Sequence, residues 1–320
     1  MRRGLLLGVA FVFGGCVGAT TESAAPIDRS APGTWTVLAP MPTARQEVAA
    51  AALDGRVFVV GGLGPGGAPS AIVEAFDPAT NRWETRAPLP AATHHAAAAT
   101  LEGRLFVIGG FTGGRVSWTP VGTVYEYDPG RDSWSTRASL AAPRGALAVA
   151  ALGGRLHALG GDSGDPTNAH EVYDPAANRW TSANPMPTAR DHLAALAFQG
   201  RVWAIGGRRS FLGAQYANVE VYDPATDSWR TGTPLPTGRG GIAAVALADR
   251  IFVFGGEAPL RIFSATEMWD TGNGRWIAKA PLVTARHGLG AAVVGDTIYV
   301  SGGATRPGFA RSDANEAYRP

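Results

Sequence analysis

Short apolar runs alternate with turn residues along the whole chain, and they do so in a fixed order. A run rich in Ala and other small residues comes first, at 49–53, 96–101, 146–152, 193–198, 242–247 and 289–294. A two-residue break such as Asp54-Gly55 or Glu102-Gly103 follows, which is hairpin-turn chemistry. A β-branched and aromatic run comes next, at 57–60, 105–108, 156–159, 202–205, 251–254 and 298–301, and each ends at a Gly-Gly pair. A third run centres on Phe76, Tyr127, Tyr173, Tyr222, Trp269 or Tyr318. An acid stands two residues before the aromatic in Glu74, Glu171, Glu220, Glu267 and Glu316; the second repeat has Tyr125 there and Glu126 next. Asp-Pro and polar turn residues then lead into a fourth run opened by a Trp. The pattern predicts four strands per repeat and an all-β fold.

The spacing is strict. Trp35, Trp83, Trp134, Trp180, Trp229 and Trp276 each stand 26 residues before the first Gly of a pair, at Gly61, Gly109, Gly160, Gly206, Gly255 and Gly302. Five of the third-run aromatics have a Trp seven residues later, and Tyr318 has none. A Trp strand without its third strand therefore opens the chain, and a third strand without its Trp strand closes it. Residues near 34–38 are predicted to form the outermost strand of the last sheet, beside residues near 314–318. Small residues in the first run suit the innermost strand of a radial array, where neighbours converge on an axis. Paired glycines with this aromatic-to-Trp spacing closely resemble the kelch repeat over about residues 34–320. The resemblance implies a six-bladed β-propeller of four-stranded antiparallel blades, one domain closed by the N-terminal strand on the last blade.

Length varies in one connection only. From the first Gly of each pair to the third-run aromatic the gaps are 15, 18, 13, 16, 14 and 16 residues. Variable loops on a rigid scaffold are where function is usually placed. Strand directions put these loops on the face that also carries the starts of the first strands. There an Arg register, Arg45, Arg144, Arg190, Arg239 and Arg286 with Thr93 in the second repeat, stands 16 residues before each Gly pair. Two readings stand for it: the arginines ring the channel mouth and bind ligand, or they hold loop carbonyls of the next blade. The candidate ligand-binding residues are these five arginines with His95, His192, Trp118, Arg208, Arg209 and Phe211. Acids expected on the same face are Glu47, Asp162, Asp165, Asp191, Glu257 and Asp313. Counting the register, the face is basic and aromatic, which favours an acidic carbohydrate or peptide, or a protein partner.

Charge narrows the partners little further. Without Arg2 and Arg3, 26 basic side chains face 26 acidic ones, so no bulk field draws nucleic acid or an anionic membrane. Residues 1–15 read as an export signal, with two arginines before the apolar run 5–13, which is too short to span a bilayer. Gly14 and Gly15 before Cys16 resemble a bacterial lipobox, although Phe13 and Gly14 depart from its usual residues. Cys16 is thus the candidate lipidation site and 16–33 a flexible tether; cleavage after Ala19 or Ala25 is the other option. The protein is expected outside the cytoplasm, in the cell envelope, with membrane contact only through that anchor.

Catalytic motifs are sparse. No metal site or cofactor is expected: His94 and His95 are neighbours expected to point oppositely, and His95 and His192 lie two repeats apart. Galactose oxidase carries a related propeller, but its Cys–Tyr copper chemistry has no counterpart when the single cysteine is Cys16. His157 stands where other repeats have Phe, Trp or Tyr and reads as a packing position. Three functions remain open: a binding module; a carbohydrate enzyme resembling the sialic-acid mutarotase group, with His192 or Glu257 as acid or base and an Arg holding a carboxylate; and a surface scaffold.

Overall fold

A computed structural model of the chain describes residues 31–114 and 117–320. Residues 1–30, with the proposed signal and Cys16, lie outside the described part. Six four-stranded antiparallel sheets, five of them in sequence order from the inside out, form the six blades of a propeller. The first blade runs Ala49–Leu53, Arg56–Val60, Val73–Asp77, Arg82–Arg86. The sixth runs Gly290–Val294, Thr297–Ser301, Asn315–Arg319, and its outer strand is Thr34–Val37 from the other end of the chain. Trp35 pairs with Tyr318 in that ladder, their ring centroids 4.9 Å apart.

The core lies between blades. Among the described residues six clusters of buried side chains each draw on two adjacent blades, such as Phe106 and Ile108 with Leu147 and Val149, or Val57 and Val59 with Tyr299 and Ala317. Tryptophan stitches the same seams. The indole N–H of each fourth-strand Trp donates to the carbonyl four residues past the Trp of the preceding blade: Trp83 to Ala39 (2.9 Å), Trp134 to Ala87, Trp180 to Ala138 and Trp229 to Asn184 (2.8 Å each), Trp276 to Thr233 (3.0 Å). Trp35 to Ala280 (2.8 Å) completes the circle. The fixed spacing therefore encodes a bond from each blade to the one before it.

The five register arginines are fully buried, which corrects their assignment as ligand-binding residues. Each pairs with the third-strand glutamate of its own blade: Arg45 with Glu74 (2.7 Å), Arg144 with Glu171, Arg190 with Glu220 (2.6 Å), Arg239 with Glu267 (2.8 Å) and Arg286 with Glu316 (3.1 Å). Other donors on them reach nearby carbonyls, as Arg45 does at Gly61 (2.6 Å) and Ile72 (2.9 Å) of its own blade, so these arginines hold their own blade and not the next one. The second blade lacks both partners, with Thr93 and Tyr125 in their places. A buried charge left without its counter-ion costs several kcal/mol, which explains why the two are absent together.

Candidate functional site

The two residues after each register arginine build the site. The second of them, Glu47, His95, Ala146, His192, Gly241 and Gly288, forms a collar round the axis. His95 N donates to Glu47 O, Ala146 N to His95 O, His192 N to Ala146 O, Gly241 N to His192 O and Gly288 N to Gly241 O, at 2.8–3.1 Å. Val48 N to Gly288 O (3.4 Å) shuts the loop. All six collar residues have positive φ, from 51° to 64°. This conformation is natural for Gly241 and Gly288 and costs a side-chain-bearing residue about 1–2 kcal/mol. Ala146 shows that the collar imposes it. Glu47, His95 and His192 hold it while projecting titratable groups toward the axis.

The first residue after the arginine pairs with the one after Gly-Gly, as in Gln46 with Leu63, His94 with Phe111, Asp191 with Arg208, Gly240 with Glu257 and His287 with Ala304. These bridges place Asp191, Arg208, Glu257 and His287 just outside the collar. A cavity of about 380 Å³ opens above it, lined by Glu47, His95, Asp191, His192, Arg208, Glu257 and His287 below and by Trp118, Phe211 and Phe309 at the mouth. The three aromatics are 40%, 38% and 48% exposed. A narrower space of about 90 Å³ continues down the axis between collar side chains.

Contacts on the floor are dense. Arg208 donates to Glu257 Oε1 and to His192 Nε2 (2.9 Å), and its Nε lies 3.4 Å from Asp191 Oδ1. His192 Nδ1 bonds Asp191 Oδ1. His95 Nε2 lies 3.4 Å from Glu47 Oε2, and His287 Nε2 lies 3.5 Å from both Glu47 Oε1 and Glu257 Oε2. Burial, with the charge of Glu257 behind it, pushes the Glu47 carboxyl up to about 8. Burial likewise raises Asp191 to about 6, against the pull of Arg208. It holds His95 and His192 well below the usual imidazole range, helped at His95 by neighbouring imidazoles and at His192 by Arg208. The floor is a set of neutral imidazoles among carboxyl groups with one guanidinium.

Of the residues singled out in the sequence, the cavity brings together His95, His192, Trp118, Arg208, Arg209 and Phe211. Glu47 and Asp191, expected on this face as acids, Glu257, considered as an acid or base, and His287 line the same cavity. Reading the repeats as columns finds Glu47, because the collar column runs Glu, His, Ala, His, Gly, Gly; Asp191 and His287 stand in the column before it, and Glu257 in the column after the Gly-Gly pair. His94 and His95 do not point oppositely. His95 has left strand geometry (φ 53°), and their Nδ1 atoms meet at 2.5 Å. His95 and His192, two blades apart, come to a ring-centroid distance of 5.0 Å because the collar converges on the axis.

Comparison with known proteins agrees with this architecture. Kelch-like protein 35 of Mus musculus is 28% identical over 138 residues, 42% of this chain and 22% of that protein. The chain thus spans about a fifth of this relative's length. The solved structure of YjhT is similar in fold, with a TM-score of 0.73 over 87% of this chain and 95% of that one at 17% identity. A Kelch motif model matches residues 44–90 and the model of the KLHDC2/KLHL20/DRC7 Kelch-repeats domain matches residues 84–256. With that second match covering more than half of its length, and with six blades of the predicted pattern, this chain belongs to the kelch-repeat family.

Proposed function

We propose that this chain is a ligand-binding kelch propeller whose site is the axial cavity, and that its ligand is a small polyhydroxylated molecule of sugar size. The observation that carries this reading is the pairing of an aromatic mouth, Trp118, Phe211 and Phe309, with a polar floor in a space of about 380 Å³. Ligand pockets usually fall between about 300 and 1,000 Å³ and combine apolar walls with a few convergent polar groups. Flat aromatic faces suit the C–H faces of a sugar ring, while its hydroxyls meet the carboxyls and Arg208. The charge argument for an acidic ligand counted the register arginines, which are buried. Without them the lining has Glu47, Asp162, Asp165, Asp191 and Glu257 against Arg208 and Arg209, so a neutral ligand fits better than an anion.

Calorimetric titration with a panel of neutral and acidic sugars tests this. Saturable binding of a neutral sugar is expected, weakened at least about tenfold in Trp118→Ala by loss of a stacking surface. Binding of acidic sugars alone, or undiminished binding by Trp118→Ala and Arg208→Ala, would overturn the reading. A catalytic reading of the same site draws on one geometric fact: Asp191 holds Nδ1 of His192, which leaves Nε2, here accepting from Arg208, as its basic nitrogen. Turnover of a bound sugar that is lost in His192→Gln with binding retained would favour it. Export and anchoring at Cys16 belong to the same proposal, and loss of fatty-acid labelling in Cys16→Ala tests them.

A further inference from the structure

The collar holds more donor atoms than a sugar site needs. Glu47, His95 and His192 each offer one ligand atom, and these atoms lie within 4.8 Å of one another. Both imidazoles are oriented from behind. Asp191 holds Nδ1 of His192, and His94 Nδ1 meets Nδ1 of His95. Each therefore turns Nε2 to the axis. A carboxylate or other acceptor behind a ligating histidine is the usual outer partner that fixes tautomer and ring angle.

Two further observations point to a cation. Glu257 is 2% exposed and lines the cavity, yet its Oε2 makes no hydrogen bond, with His287 Nε2 standing 3.5 Å away. Buried polar atoms are rarely left so. Carboxyls also outnumber cations: the floor has three buried or nearly buried carboxyls, Glu47, Asp191 and Glu257, and the one guanidinium of Arg208 contacts only the last two.

We propose that Glu47, His95 and His192 hold one divalent transition-metal ion on the propeller axis, with Glu257 within reach as a further ligand and the remaining positions open to the cavity. Two imidazoles and a carboxylate suit zinc, iron(II) or manganese(II), not the all-oxygen preference of calcium. Arg208, which donates to His192 Nε2 at 2.9 Å, yields that lone pair to the ion and keeps its bonds to Asp191 and Glu257. Linear spacing could not show such a site, since its ligands come from three blades. The proposal stands whether or not the cavity takes a sugar.

The test uses the folded chain stripped by a chelator and then titrated with Zn²⁺ or Co²⁺. Expected are one equivalent bound per chain, Co²⁺ ligand-field bands of a nitrogen–oxygen site, and a rise in unfolding temperature as Zn²⁺ is added, because an ion bound only to the folded state stabilises it. Glu47→Gly and His95→Gly put into the collar the residue that Gly241 and Gly288 already supply, so the backbone is relieved, not strained. Each is expected to fold, to lose affinity by more than about 100-fold and to show no Zn²⁺-dependent rise. No stoichiometric uptake by the wild-type protein, or equal uptake by both folded variants, would overturn the site. Since no sugar is present in these measurements, their failure leaves the sugar titration to be judged separately.

Discussion

The buried arginine that five of the repeats carry is a liability balanced by one glutamate. Arg190 is fully buried and donates to Glu220 and to the carbonyls of Thr188 (3.0 Å) and Ala204 (3.2 Å). Glu220→Ala removes the counter-ion and leaves the guanidinium buried, which is expected to cost about 3–5 kcal/mol. The double change Arg190→Thr with Glu220→Tyr copies what the second blade holds at Thr93 and Tyr125, and is expected to cost less than Glu220→Ala alone. Urea unfolding of the three proteins measures this. A double variant less stable than the single one would mean that the pair is valued for more than its charge balance.

Within one blade, a strand can carry a function-like pair that serves packing. In the third blade His157, on Arg155–Leu159, and His170, on His170–Asp174, touch through Nδ1 and Nε2 at 2.9 Å, and His170 stacks edge-on to Tyr222 of the fourth blade. Burial pushes both imidazoles down to about 4, the second ring adding to it at His157. The unfolded chain, with ordinary imidazoles near 6.5, then binds more protons between pH 6.5 and 4, so their contribution to stability is present above 6.5 and is lost as pH falls. The pair is expected to account for about 1–2 kcal/mol per imidazole between pH 7 and 5. His157→Phe with His170→Val, the residue types other blades use, should flatten the slope of unfolding free energy against pH by that amount; an unchanged slope would place the acid sensitivity elsewhere. His157 also illustrates what the sequence could tell. Repeat columns marked it as a packing position, as they marked the closing strand at Trp35. They could not show that the arginine column turns inward onto Glu74 and its equivalents, because an Arg before a strand start looks the same whether it faces solvent or carboxylate. Nor could they show that Glu47, His95 and His192 meet, since convergence on an axis is a property of six blades together and of positive φ at the collar.

For the whole molecule, everything on the axis depends on the ring being shut. The sixth blade takes its outer strand from Thr34–Val37, paired along Asn315–Arg319. The segment before it is tied in as well: Ala280 N and the Tyr318 hydroxyl donate to Pro32 O, at 2.8 and 2.9 Å, and Lys279 Nζ to Ala31 O at 2.7 Å. Removing residues 1–37 deletes the ladder and the Trp35 bond to Ala280, uncovers the buried Tyr318 ring and leaves Asn315–Arg319 as an unpaired edge, a template for pairing with a second chain. A truncated protein lacking only residues 1–30 keeps all of these contacts. The shorter protein is therefore expected to unfold at a markedly lower urea concentration and to self-associate in sedimentation runs, while the 31–320 protein matches the full chain in both. Because Thr34–Val37 leads directly into the first blade, it also tethers that blade to the sixth, and Glu47 and Gly288 are collar neighbours across the boundary of those two blades, so loosening it should also weaken any ligand or ion on the axis. Equal midpoints for the two truncations would show that five seams suffice, and that closure by the N-terminal strand does not hold the collar in place.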